Sequence, residues 1–329
     1  MTVRTGTQAD RRRRGERALT LAAALVLDWA FGEPPPALHP VVGIGNLVAI
    51  LERRAPMGSG ALQFAYGCGL VAVTVGTTVG LGALTERLVG RLPLGPRLLT
   101  QGALLKPAFA VRELLAVGER VREPLERGDL VAARIALRSL VSRDPSALDA
   151  SLIAAAAVES LAENASDSIV APCLAYLVAG LPAAYGYRAG NTLDAMIGYR
   201  GRYEHLGKCA ARLDDLLNLV PARLTAALIV LGAPLGGGDA RSALAAASRD
   251  HHKTASPNAG WPMSAMAGAL GVQLEKVGHY RLGDPHRVAR AADIATAGRV
   301  VARLVELGLL ALVTVGSVGV VARRLQGWA

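Results

Sequence analysis

Between Arg54 and Glu86 the chain carries no charged residue. The window holds "ALQFAYGCGLVAVTVGTTVGLGALT", long enough as a helix to cross about 30 Å of hydrocarbon. Gly76-x-x-x-Gly80 within it marks a possible close helix contact. The rest agrees with this segment: 52% of residues are hydrophobic and 19% charged, against roughly 25% charged in an ordinary soluble domain. The small apolar residues that dominate suit tightly packed helices. No strand alternation stands out. The expected fold is all-α: a polytopic integral membrane helical protein with four or five membrane-associated helices.

Two further windows are less regular. Between Asp167 and Arg188 lie 20 uncharged residues, interrupted by Pro172, Gly180 and Pro182, so a broken or re-entrant helix is expected there. "LTAALIVLGAPLGGG" after Arg223 reads as short for a span, and "LGLLALVTVGSVGVVA" after Glu306 as a better candidate. Segment 104–150 differs, with apolar residues at three- and four-residue intervals and charges between them. That pattern predicts an amphipathic helical pair outside the bilayer, broken near Pro124 and Gly128.

The N-terminus carries Arg11-Arg12-Arg13-Arg14 before a short apolar run, Ala18–Leu27, with no clear cleavage site. It reads as a retained membrane-entering helix with a basic cytoplasmic anchor. The expected organisation is a basic tail, 1–17, and one helical membrane domain, 18–329. The net charge of +10 raises nucleic acid as a partner, but no nucleic-acid-binding module is present. Three cysteines, Cys68, Cys173 and Cys209, lie far apart and fit no CxxC pattern. A disulfide framework or zinc site is therefore not expected.

Two polar clusters are the candidates for chemistry. Glu159, Glu163 and Asp167 recur every four residues and share one helix face. Like charges at that spacing repel, so a cation, an arginine or water has to compensate. Asn164 adds an oxygen beside them, and hard cations such as Mg²⁺ take such ligands. The alternative is a solvated helix end. The second cluster holds Asn191, Thr192, Asp194, Arg200, Arg202, Arg212, Asp214, Asp215, Asn218 and Arg223. Arginines suit phosphates and carboxylates, and acids with asparagines suit Mg²⁺. An interfacial loop laced with ion pairs is the other reading. "GRYEHLGKC" imitates a phosphate loop, but its spacing is wrong and Cys209 stands where Ser/Thr is required. "SPNAGW", from Ser256, suggests a fixed turn before a small-residue helix, with His251 and His252 just ahead of it at the surface. His39, in the proline-rich "GEPPPALHP", contacts substrate or caps its loop.

These stretches, in this order, resemble the CobD/CbiB family of cobalamin-biosynthesis membrane proteins, the adenosylcobinamide-phosphate synthases. The resemblance rests on "LDWAFGEPPPALHPVVGIGNLV", "AARIALRSLVSRDPSALD", "ESLAENASDSIVAP", "AGNTLDAMIGYRGRYEHLGKCAARLDDLLNLVPARLTA" and "SPNAGWPMSAMAGALGVQLEK", spanning about Leu27 to Tyr280. Glu33 stands where the family usually has aspartate. The resemblance implies ATP-dependent amide formation between a propionate carboxyl of adenosylcobyric acid and aminopropanol or its phosphate, through an acyl phosphate. The setting implied is the inner cell membrane, multi-pass, with the site facing the cytoplasm; membrane lipid and other late corrinoid-assembly enzymes are the partners it suggests. The expected cofactors are ATP and Mg²⁺.

Under that reading Glu159, Glu163, Asp167, Asp194, Asp214 and Asp215 are the catalytic acids, with Glu163, Asp167, Asp194 and Asp215 as the Mg²⁺ set. Arg143, Arg212 and Arg223 clamp phosphate. Asn164, Asn191, Asn218, Asn258, Thr192 and His39 orient substrate. A Mg-dependent membrane transferase, a transporter and a non-catalytic partner of a corrinoid-assembly complex are the competing readings. The transferase reading lacks its DxxxD spacing, and the transporter reading lacks an internal repeat.

Overall fold

The structure is a computed structural model that describes the backbone of residues 3–326 and the side chains of residues 13–314. Helix α1 (Val3–Phe31) leads through the proline-rich loop to α2 (Pro40–Glu52), α3 (Gly60–Val89) and α4 (Leu94–Leu105). Then come α5 (Val111–Glu126), α6 (Leu130–Leu137) and α7 (Ala150–Ala165). A π turn, Ser166–Val170, joins α7 to α8 (Ala171–Ala179), and α9 (Leu181–Ile197), α10 (Lys208–Leu217), α11 (Leu219–Gly236) and α12 (Ala240–Asp250) follow. The chain continues through α13 (Gly260–Leu270), a two-stranded antiparallel hairpin of β1 (Gln273–Lys276) and β2 (Tyr280–Gly283), and α14 (Ala291–Gln326). The fold is thus mostly helical, as expected; the hairpin is the departure from all-α.

Local chemistry explains the helix starts. Asp129, Asp149, Asp239 and Ser59 each accept a backbone N–H of the first turn, at α6, α7, α12 and α3 respectively, satisfying donors that the helix itself leaves open. The expected break of the amphipathic pair falls at Gly128, which has φ +77°. Pro124 stays inside α5. The second expected break falls at Gly180, with φ 79° and ψ −160° between α8 and α9.

The helices fall into two compact units. One comprises residues up to Ala110, Ala171–Leu217 and α14 from Gly308. Its core joins Ile44 and Val48 of α2, Leu70 and Val71 of α3, Ala189, Leu193 and Ile197 of α9, and Ala210 of α10. Glycines set the spacing there: a Cβ on Gly82 would press on the Pro182 backbone, 2.9 Å away. The other unit comprises Val111–Val170 and Asn218–Leu307. Helix α7 is its centre, packed by α5, α6, α13 and β1. Ala154 through Ala162 are buried without interruption, because alanines admit neighbours on every side.

Two of the described helices, α3 and α11, are long and apolar enough to cross a bilayer, against the four or five expected. Helix α11 starts at Leu219, earlier than the run counted from Arg223, and so reaches 18 residues. The Gly180 break divides the 167–188 window into helices shorter than a span. The side chains of α14 beyond 314 lie outside the described residues, as does most of the basic stretch 1–17. Leu62, Val73, Leu81, Leu84 and Leu88 of α3 and Val220, Leu231 and Leu235 of α11 are exposed.

Candidate active site

The first acidic cluster lies wholly in the α7-centred unit. Glu159 sits within the buried alanine run and is only 5% exposed, so it is not part of a solvated helix end. Glu163 and Asp167 are half-buried. Asp167 falls in the π turn, where an extra residue per turn changes the face a side chain shares; such turns recur at functional sites.

Arg143, in the loop between α6 and α7, reaches the Glu159 carboxylate, with Nη2 3.6 Å from Oε2. Lys276 of β1 and Tyr280 of β2 approach the same carboxylate from the hairpin. Burial pushes the Glu159 carboxyl up to about 7, against the pull of Arg143, while the Glu163 charge pushes the same way as burial. Burial also raises the Tyr280 phenol, and the Glu159 and Glu163 charges add to the rise. A carboxyl that titrates near neutrality beside an arginine is suited to taking a proton during a reaction.

Asn164 is held by its neighbours along the chain. Its Nδ2 donates to the Ser160 carbonyl (2.9 Å), and its Oδ1 accepts from the Ser168 hydroxyl (3.3 Å). The side chain therefore ties α7 to the π turn.

The same unit brings Arg223 and Asn258 together. Arg223 donates to Asn258 Oδ1 (3.3 Å) and to the Leu219 carbonyl (2.7 Å). Its guanidinium lies 5.2 Å from the centre of the Trp261 ring, whose plane stacks on His251 at 3.9 Å. The "SPNAGW" turn is fixed as expected: the Ser256 hydroxyl accepts from the Asn258 and Ala259 N–H groups. Asn218 is buried at the start of α11.

The second set of sequence candidates lies in the other unit. Asn191 is joined to Asp214, with Nδ2 3.4 Å from Oδ1, and accepts from Arg188 Nη1 at 3.3 Å. Arg212 and Asp215 pair more loosely, at 3.8 Å, and burial raises the Asp215 carboxyl against the Arg212 charge. Thr192 and Asp194 are half-buried on α9, and Gly198 follows so closely that a Cβ there would meet the Asp194 side chain. The candidates are thus divided, with Glu159, Glu163, Asp167, Arg143, Asn164, Asn218, Arg223 and Asn258 in one unit. Asp194, Asp214, Asp215, Asn191, Thr192, Arg212 and His39 are in the other.

His39 caps α2. Its Nδ1 accepts the Val41 N–H at 3.2 Å and its Nε2 lies 2.9 Å from Glu33 Oε2. With Nδ1 accepting, the proton belongs on Nε2, so both ring nitrogens are engaged. Lys106 completes this group, with Nζ 2.8 Å from Glu33 Oε1 and 3.3 Å from Asp28 Oδ1. Asp28 is fully buried and Lys106 nearly so. Lys106, Lys276 and Tyr280 are the residues that sequence reasoning missed. Lys276 and Tyr280 had one readable signal, the turn residue Gly278 between them.

Among the described residues, no three His, Cys, Asp or Glu side chains gather as a metal site. Mg²⁺ that serves a nucleotide keeps several waters and takes phosphate oxygens, so one or two carboxylates suffice. Half-buried Glu163 and Asp167 fit that requirement.

The family model for CobD/Cbib protein matches residues 21–306. The cobalamin biosynthesis protein CobD of Dehalococcoides mccartyi is 44% identical over 273 residues, 83% of this chain and 88% of its own. That of Rhodobacter capsulatus is 46% identical over 263 residues, covering 78% and 81%. The probable cobalamin biosynthesis protein CobD of Pyrococcus furiosus is 41% identical over 283 residues, covering 86% and 93%. No solved structure matches the chain.

Proposed function

The chain belongs to the CobD/CbiB protein family, and on that premise we propose that it forms an amide bond in cobalamin biosynthesis. It joins a propionate carboxyl of adenosylcobyric acid to the amine of aminopropanol or aminopropanol phosphate. The product is adenosylcobinamide or its phosphate. The observation that carries the chemistry is Glu159, a buried carboxyl placed against Arg143, Tyr280 and Lys276.

A carboxylate is a poor electrophile. Transfer of the γ-phosphoryl group of ATP to it gives an acyl phosphate and ADP. The amine then attacks the acyl carbon, the C–N bond forms, the C–O bond to phosphate breaks, and the nitrogen gives up a proton. Bound Mg²⁺ would neutralise the phosphates' charge and align them, held by Glu163 and Asp167. Glu159 takes the proton in its ionised form. Arg143 favours that form, and Arg223, oriented by Asn258, offers a guanidinium to a phosphate or carboxylate. In the other unit Asn191 and Asp214, tied together, and half-buried Asp194 form a polar group of their own that offers hydrogen bonds to a ligand.

The protein works in the cell membrane, with α3 and α11 as spans. Their exposed leucines and valines suit contact with lipid. The Gly180 break fits a helix that enters without crossing, with the site facing the cytoplasm, where ATP and corrinoid are found.

Glu163→Ala and Asp194→Ala are each expected to abolish product formation at unchanged protein level in cells fed the corrinoid precursor. Near-normal turnover in either variant contradicts the role given to that acid.

A further inference from the structure

Glu159 is surrounded by few charged groups, and each comes from an identifiable element. Arg143 belongs to the loop before α7, Glu163 to α7 itself, Lys276 to β1 and Tyr280 to β2. The hairpin's two contributions are cross-strand partners: Lys276 pairs with Tyr280 in the register, and its Nζ lies 6.0 Å from the centre of the Tyr280 ring. On a two-stranded ribbon such directly opposed residues stand side by side. The placement is held from beneath. Asp250, fully buried at the end of α12, accepts the Gly283 N–H at 2.9 Å and also binds Arg249 and Lys253 at 2.7 Å each. The end of β2 is thereby pinned to the helices.

The carboxylate itself is asymmetric. Oε2 faces Arg143, whereas Oε1 is buried and has no hydrogen-bond partner within bonding distance among the described residues. A buried acceptor without a donor is costly, and such a group points to a missing N–H or O–H partner. Apart from Glu159, the Tyr280 hydroxyl is engaged among the described residues with the Met263 sulfur, at 3.9 Å, a weak acceptor. It is therefore available to the Glu159 carboxylate.

We propose that the β1–β2 hairpin is part of the reaction site, with Tyr280 and Lys276 as positioning residues that hold Glu159 to receive a primary amine at Oε1. This rests on the amide-forming reading and deepens it by naming the atom that meets the amine. As the C–N bond forms and phosphate leaves, one proton passes from the amine nitrogen to Oε1. The ligand class is a small primary amino alcohol or its phosphate ester.

The test is the pH dependence of kcat/KM for purified protein carrying Tyr280→Phe, Lys276→Met or Lys276→Arg. Both Tyr280 and Lys276 favour the ionised form of Glu159, so loss of either raises its proton affinity. The acid limb of the profile is expected to move to higher pH, by on the order of one unit, in Tyr280→Phe and Lys276→Met, and to return in Lys276→Arg. An unmoved limb in the first two overturns the hairpin's role while leaving amide formation intact. If the wild-type protein makes no amide, the reaction itself is wrong. The hairpin's role is then decided by infrared titration of the carboxyl band that Glu159→Gln removes, with and without aminopropanol. A shift of that band's midpoint in Tyr280→Phe, together with a response to the amine, supports the proposal; absence of either overturns it.

Discussion

Burial of Glu159 among alanines makes its charge a matter of pH in the neutral range, since its carboxyl is pushed from an ordinary 4.5 up to about 7. The folded state therefore binds this proton more tightly than the unfolded state does. The resulting stability is full below about 4.5 and is lost as pH rises through about 7. The span of that loss is about 3 kcal/mol. Glu159→Gln, which never ionises, is expected to hold its melting temperature from pH 5 to pH 8, while the wild-type protein falls by several degrees relative to it. Equal pH dependence in the two proteins contradicts a buried, titrating Glu159. In catalysis the same variant should lose at least about a hundredfold in kcat, the usual worth of a general base, as measured with saturating substrates. The acidic face was legible in the sequence from its four-residue spacing. Its gradient, from buried Glu159 to half-open Glu163, was not, because burial depends on α5, α13 and the hairpin, which contribute from distant parts of the chain.

Elements that end on local chemistry were the readable ones. The breaks at Gly128 and Gly180 and the fixed "SPNAGW" turn follow from residues whose backbone preferences act over one or two positions. The π turn and the β1–β2 hairpin escaped for opposite reasons. A π turn has no composition of its own, and strands as short as Gln273–Lys276 and Tyr280–Gly283 carry too little alternation to stand out beside a helix. Gly180 bears the most specific structural demand. Its φ of 79° and ψ of −160° lie in a region that is essentially glycine's alone, and a Cβ there would meet the Glu86 carboxylate. That carboxylate accepts the Leu181 N–H at 3.1 Å, the first donor of α9. Gly180→Ala is expected to destabilise the protein by about 1–3 kcal/mol, seen as a lowered melting temperature in detergent; an unchanged value contradicts the strained break between α8 and α9.

For the molecule as a whole, the division into two compact units had no mark in the sequence. Each unit is assembled from separate stretches, with no linker between them to read. The uncharged run of α3 was legible as a helix long and apolar enough to cross a bilayer, while the number of such helices was not, because helix length depends on where breaks and caps fall. Under the proposal that α3 and α11 are spans, the protein is expected to stay with membranes through alkaline carbonate washing and to leave them only with detergent. Release by carbonate contradicts the spans. The most direct test of the proposed activity uses detergent-purified protein with adenosylcobyric acid, aminopropanol phosphate and Mg-ATP, following ADP by coupled assay and the corrinoid by mass spectrometry. The expected result is one ADP released per corrinoid converted, with a mass gain equal to aminopropanol phosphate less one water. An unchanged corrinoid mass in protein that is folded and supplied with all three substrates contradicts it.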